Sequence, residues 1–267
     1  MNINERLERL EAQVKLVEAY SVQAFWQAID RVYELMLPKM ELHCIICGHR
    51  DGRSGFAVHV SQCQFGGGLL ERYQCPKCDA IFGPQKYLDL SDSFVTADYD
   101  LLYSRYSEGD STTNEIRTFL STSPRSGGLY LNWGCGAWSE TIPELRKQGY
   151  DVWGHEPSIR ETSDVIVKYR DEISARFNAI FSNNVIEHFR DPVAEFEYFK
   201  SILSDDGVMA HASPCYDYAY ADTRFHTLFL LGKSPYILAE RTGFHARQAV
   251  RDGEYINFVF ERVPAPA

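Results

Sequence analysis

The sequence predicts an α/β protein: a parallel sheet finished by an antiparallel hairpin, preceded by a small four-cysteine module and a long N-terminal helix. Three observations carry this expectation. From Leu129 onward, β-rich and helical patterns alternate, as they do where crossover helices join parallel strands. At the end, FHARQAVRDGEYINFVFERV sets two β-rich runs around Asp252-Gly253, a hairpin signal. Ahead of both, C-x2-C pairs stand at Cys44/Cys47 and Cys75/Cys78.

The 267 residues exceed one typical domain, so a full domain with a smaller appendage is expected. A formal net charge of -10 repels phosphate backbones, and no basic cluster offsets it, so nucleic acid is disfavoured as a partner. The start, MNINERLERLEAQ, is charged and lacks the apolar core of a secretion signal. No apolar run approaches a membrane span; the longest lies around Thr227–Leu231. Tight cysteine pairs in a chain of this kind read as metal ligands in a reducing compartment, which predicts a cytoplasmic protein.

Four segments follow. Residues 1–38 read as one helix, with Leu7, Leu10, Val14 and Val17 forming a two-heptad seam flanked by Glu and Arg. Beyond Ser21 the seam steps by four to Phe25, then continues through Ile29, Val32 and Met36 until Pro38 ends the helix. This stripe either packs on its own chain or associates chains into a homo-oligomer. Residues 39–90 hold the cysteine module, and 91–127 a Tyr-rich helical connector. Residues 128–267 carry the sheet, with strands near 129–133, 151–155, 178–183 and 207–213, and helices near 138–148, 158–169, 192–203 and 227–242.

Each C-x2-C turn aims two sulfurs at one point, and two turns close a tetrahedral S4 site suited to structural Zn2+: Cys44, Cys47, Cys75 and Cys78. Four sulfurs leave no open position, which argues against a catalytic metal. FAVHVSQC and LLERYQC, on either side of Gly66-Gly67-Gly68, predict a hairpin between the pairs. Cys63 reads as a small buried hydrophobe, and His43, His49 and His59 as surface or packing residues.

LYLNWGCGAW is a strand opening into a glycine turn, where Gly134 and Gly136 let a ligand approach the backbone. Glu156 ends the next strand, 22 residues beyond Gly134, where a carboxylate can bind both ribose hydroxyls of a nucleoside cofactor. A dinucleotide oxidoreductase shares these two features but needs a third glycine that is absent here.

LNWGCG, GHEPS, FNAIFSNNVIEHFRDP and LSDDGVMAHASP resemble, in order, successive motifs of class I S-adenosylmethionine-dependent methyltransferases, over about residues 95–260. With the preceding knuckles, the chain is similar to the branch that methylates sugars, nucleotide-linked sugars or glycans. The resemblance implies a Rossmann-like seven-stranded sheet of order 3-2-1-4-5-7-6, with the terminal hairpin as strands 6 and 7. It also implies S-adenosylmethionine contacts from Gly134, Cys135, Gly136, Glu156, Pro157, Asn183 and Asn184, with Tyr99, Tyr103 and Tyr106 on a segment covering the cofactor. Three positions depart from the pattern: Asn132 replaces an acid, Trp138 a glycine, and Asn178 an aspartate. The 21 residues between Glu156 and Asn178 leave room only for a short third strand, or none.

Methyl transfer to a hydroxyl needs in-line positioning and removal of a proton. His188, just after the fourth strand, stands beside the expected methyl position and is the expected base, with Glu187 orienting it or binding substrate. His226 resembles a second family position facing the acceptor, and the loop Ser213–Tyr218 is expected to line the acceptor pocket. Two other functions stay open at this point: an RNA methyltransferase with a zinc module, and a noncatalytic assembly protein on a methyltransferase fold.

Overall fold

The computed structural model describes residues 2–137, 139–159 and 163–263. Helix α1 (Ile3–Met36) starts at a reciprocal cap: the Asn2 side chain accepts from the Glu5 amide while the Glu5 carboxylate accepts from the Asn2 amide. Pro38 falls in the 3-10 turn that ends it. Its two halves differ. Ile3, Leu7, Leu10, Val14 and Val17 are exposed, whereas Trp26 is buried against Tyr87, Phe94 and Phe225, with Val22 and Ile29 beside it. Val32 and Met36, which continue the expected seam, are also exposed. The inward face runs through Val22, Trp26 and Ile29 because the tryptophan, the largest side chain of this half, takes the core position.

In the cysteine module, β1 (Glu41–His43) and β2 (Arg50–Gly52) flank the first knuckle. The expected hairpin is β3 (Ala57–Gln62) paired antiparallel with β4 (Leu69–Gln74), followed by β5 (Ile81–Phe82). Cys63 is buried at the end of β3. The module ends on the short helix α2 (Gln85–Leu88), and the connector is helical: α3 (Asp92–Tyr103) and α4 (Thr112–Leu120).

The main sheet follows with β6 (Leu129–Trp133), α5 (Thr141–Lys147), β7 (Asp151–His155), β8 (Ile166–Val167), β9 (Phe177–Asn183), α6 (Pro192–Ile202) and β10 (Leu203–Ala212). After β11 (Leu228–Phe229) and α7 (Ser234–Thr242), it closes with the hairpin β12 (Phe244–Asp252) and β13 (Tyr255–Arg262). The strand order is β12-β13-β10-β9-β6-β7-β8, with β6 to β10 parallel and the hairpin antiparallel. This is the class I methyltransferase order, with β8 as a short third strand. Asn178 finds work at the base of the sheet, where its Oδ1 accepts from the Leu129 amide at 2.9 Å and ties β9 to β6.

Two helices differ from expectation. In the described part of 158–169 there is no helix; the β-branched run Val165-Ile166-Val167 extends the sheet edge instead, and a 3-10 turn, Arg170–Glu172, follows. The helix expected over 227–242 begins only at Ser234. Leu228 and Phe229 are buried as β11, which pairs with β5, so the module's sheet runs β11-β5-β4-β3. Gly232 at φ 54° and Pro235 then set the late helix start. The helix expected at 138–148 is α5, and Trp138 itself lies outside the described residues. One apolar cluster joins Phe56, Tyr73 and Phe82 of the module to Ile180, Phe196 and Phe260 of the main sheet. None of the described helices is long and apolar enough to cross a membrane.

Candidate active site

The carboxyl ends of β6, β7 and β9 meet where the chain crosses from one half of the sheet to the other, the place where open α/β sheets bind ligands. The amides of Gly134 and Cys135 both reach the carbonyl of His155, so the turn after β6 is pinned to the end of β7. Gly134 has φ 66°, and a Cβ built there would sit 2.8 Å from Val185, so no larger residue fits without displacement. Glu156 accepts from the Gly136 amide at 2.9 Å through one oxygen, and from the Ser158 amide and hydroxyl at 2.9 and 2.6 Å through the other. A carboxylate carries about four acceptor sites, and these three bonds leave about one open to a ribose hydroxyl; release of the Ser158 hydroxyl would open a second.

A cavity of about 670 Å3 opens on this turn. Gly134, Cys135, Gly136, Glu156, Pro157, Asn183, Asn184 and Tyr103 all line it. The ring of Trp133, stacked on His155 at 3.8 Å and capped by the Arg170 guanidinium at 5.1 Å, forms part of its wall. Burial holds His155 neutral, pushing its pKa down to about 3.

Two acidic lining residues were not expected. Glu115 of α4 is buried at the tip of β6, where Oε2 accepts from Asn132 Nδ2 at 2.6 Å and Ser139 Oγ at 2.9 Å. The Ser111 hydroxyl donates to its other oxygen. A carboxylate from a helix outside the sheet thus stands against Asn132, the position where the resemblance expects an acid. Glu108, also unforeseen, lines this cavity and accepts from the Tyr103 hydroxyl at 3.1 Å.

A second cavity, about 380 Å3, adjoins the first. Tyr99, Tyr103, Glu108, Asn183, Asn184 and His188 line both. Tyr106 lines only the second of these two, packed on Phe65 with ring centroids 5.5 Å apart. Glu187 and His226 lie in the second as well, with Ser213 and Pro214. The loop's tyrosines turn away from this cavity: Tyr216 stacks on Phe258, and Tyr218 packs on Phe229.

His188 is not oriented by its neighbour in sequence. Its Nδ1 lies 3.0 Å from the Phe225 carbonyl and 2.9 Å from the Tyr99 hydroxyl. A carbonyl only accepts, so Nδ1 carries a proton, and in the neutral ring the lone pair is on Nε2. His226 repeats the arrangement, with Nδ1 3.0 Å from the Tyr220 carbonyl, and burial holds its pKa well below the usual histidine value. Glu187 is 1% exposed, and burial raises its pKa.

At the module, the sulfurs of Cys44 and Cys78, and of Cys47 and Cys75, are 3.5 Å apart, and all four lie within 4.8 Å of one another. A tetrahedron with Zn–S bonds of about 2.3 Å needs sulfurs roughly 3.8 Å apart, so the set can hold zinc with little movement. The contact with the Cys78 thiol holds the Cys44 pKa below the usual thiol value. His49 packs on Phe56, and His59 bonds Gln74 at 3.2 Å, so both are packing residues.

Comparison with solved structures returns methyltransferases of low identity. Burkholderia thailandensis 1,6-didemethyltoxoflavin-N1-methyltransferase, with bound 1,6-didemethyltoxoflavin and S-adenosylhomocysteine, shares 15% identity at a TM-score of 0.49, covering 77% of this chain and 99% of that one. Magnesium protoporphyrin IX methyltransferase from Synechocystis PCC 6803, with bound S-adenosylhomocysteine, shares 13% at 0.42, covering 65% and 97%. No curated protein matches the chain. The family pattern described as a methyltransferase domain matches residues 107–259, more than half of the 267. That span holds the glycine turn, Glu156, the His188 region and the sheet order. The chain belongs to the methyltransferase domain family and is a class I S-adenosylmethionine-dependent methyltransferase.

Proposed function

We propose that the enzyme methylates a hydroxyl of a sugar, nucleotide sugar or glycan. The observation that carries this reading is the second cavity, where Glu187, His188 and His226 converge beside the glycine-turn cavity. Both imidazoles present lone pairs there, and such a cluster of hydrogen-bond acceptors suits a ligand rich in hydroxyl donors.

S-adenosylmethionine, when bound, supplies an electrophilic methyl group. The residues present fit it: Gly134 and Gly136 admit it to the backbone, Glu156 offers an open acceptor site to the ribose, and Tyr103 lies on the segment over the turn. Asn183, Asn184 and His188, shared by both cavities, hold the acceptor against the methyl. The acceptor's proton leaves through the cluster of Glu187, His188 and His226, with His188 at the junction. Activity on a panel of nucleoside diphosphate sugars, read by mass spectrometry as a gain of one methyl group, tests this. Turnover on tRNA fragments but on no sugar would overturn it. The charge of -10 argues against that outcome.

Two structural roles complete the proposal. Cys44, Cys47, Cys75 and Cys78 hold one structural Zn2+, which stiffens the sheet that β11 joins. The exposed stripe Leu7, Leu10, Val14 and Val17 pairs chains, since an isolated helix end of this kind is marginal in water without burial.

A further inference from the structure

We propose that Glu187, His188 and His226 form a second metal centre, a divalent-cation site inside the acceptor cavity. This rests on reading that cavity as the acceptor's, and deepens it: the three side chains act on the acceptor hydroxyls through the cation.

The geometry comes first. One ligand-capable atom from each residue lies within 4.8 Å of the others, and the two imidazole centroids are 5.0 Å apart at 66°. Ligating histidines characteristically donate their second ring N–H to a carbonyl or carboxylate, which sets the tautomer and turns the other nitrogen to the metal. Both histidines here do so, His188 to the Phe225 carbonyl and His226 to the Tyr220 carbonyl, each at 3.0 Å. The third member, Glu187, is buried with Oε2 lacking any hydrogen-bond partner among the described residues. A buried carboxylate oxygen without a donor is costly, and a cation among these acceptors removes that cost.

The supports of the site are rigid. Arg72 donates to the carbonyls of Ala221, Thr223 and His226 at 2.7, 2.6 and 3.0 Å, fixing the loop that carries His226. Arg224 makes a buried bidentate pair with Asp98, both bonds at 2.7 Å. The Thr227 amide donates to the Glu187 carbonyl at 2.9 Å and joins the two ligand-bearing segments. Two imidazoles and one carboxylate suit Zn2+, Fe2+, Co2+ or Ni2+ rather than Mg2+ or Ca2+. Three protein ligands leave positions open, and the cavity provides room for acceptor oxygens there. A hydroxyl bound at such a cation loses its proton more readily, the proton passing to water in the cavity.

Calorimetric titration of the full chain, purified with its cysteine site filled by zinc, uses Co2+ as the probe. The expected result is one Co2+ per chain without thiolate-to-cobalt charge-transfer absorption. Binding should weaken at least tenfold in Glu187→Gln and in His226→Gln, while S-adenosylmethionine affinity stays within about twofold of wild type and confirms folding. A protein that binds S-adenosylmethionine yet takes up no Co2+ overturns the cation and leaves His188 as a simple base. Uptake unchanged in both variants, or accompanied by thiolate charge transfer, overturns it equally. Loss of S-adenosylmethionine binding in the wild type would instead strike the methyl-transfer reading, and the Co2+ stoichiometry is read independently of it.

Discussion

Asn132 Nδ2 donates to Glu115 Oε2 at 2.6 Å, linking the tip of β6 to a helix that precedes the sheet in sequence. The amide stands where the family resemblance expects an acid, and it now holds an acid that arrives from elsewhere. Asn132→Asp should therefore set two buried carboxylates against each other and weaken S-adenosylmethionine binding by about tenfold or more, roughly 1.4 kcal/mol. Glu115→Gln should weaken it similarly. Combining the two restores a donor–acceptor pair with its polarity reversed, so the double variant should bind better than either single one. Additive losses in the double variant would show that the pair does not act as a unit.

The cysteine site should yield one zinc per chain in metal analysis of protein purified without added metal. Cys75→Ser should lose the metal and destabilise the module, and with it the β11–β5 pairing that positions the loop before α7. A folded wild-type protein with zinc near zero would refute the assignment.

The division of α1 at about Val22 sharpens the test of association. Deleting residues 1–17 removes the exposed stripe but leaves Glu18, whose carboxylate pairs with Arg105, and the Trp26 contacts. Light scattering should show a lower oligomeric state with cofactor affinity unchanged. A full-length protein that is already monomeric at micromolar concentration would remove the proposed role.

Acid should unfold the protein through its buried histidines. Burial lowers the pKa of both His155 and His211 to about 3, against roughly 6.5 in the unfolded chain. The native state thus binds fewer protons between these values. The stability of each neutral ring is fully present above about 6.5 and is lost as pH falls toward 3. Each ring contributes a slope of about 1.4 kcal/mol per pH unit within that window. His211→Gln, which removes one titration, should show a shallower fall in urea-unfolding free energy between pH 7 and pH 5. An identical slope would mean that water reaches His211 in the native state.

Much of the sheet was legible because its signals are local. The glycine turn, the Glu156 spacing and the Asp252-Gly253 hairpin each concern a few neighbouring residues, and the structure has them where the pattern implies. The misses at β11 and Glu115 depend on partners distant in sequence, whereas β8 is marked by its own β-branched run. Leu228 and Phe229 read as the start of a helix, and only pairing with Ile81 and Phe82 makes them a strand. Glu115 carries no motif of its own; a buried acid in an amphipathic helix becomes a site residue only when α4 packs beside β6. Glu187 was legible as a candidate, but not its independence from His188, which takes its orientation from Tyr99 and the Phe225 carbonyl.

The central claim, that the cavity at the glycine turn binds S-adenosylmethionine with Glu156 receiving the ribose, is tested most directly by calorimetric titration of the wild type and Glu156→Ala. The wild type should bind one cofactor per chain. The variant should remain folded and bind about 10- to 150-fold more weakly, the worth of hydrogen bonds to a charged acceptor at roughly 1.5–3 kcal/mol. No binding by the wild type at millimolar cofactor, or equal affinity in the two proteins, would contradict it.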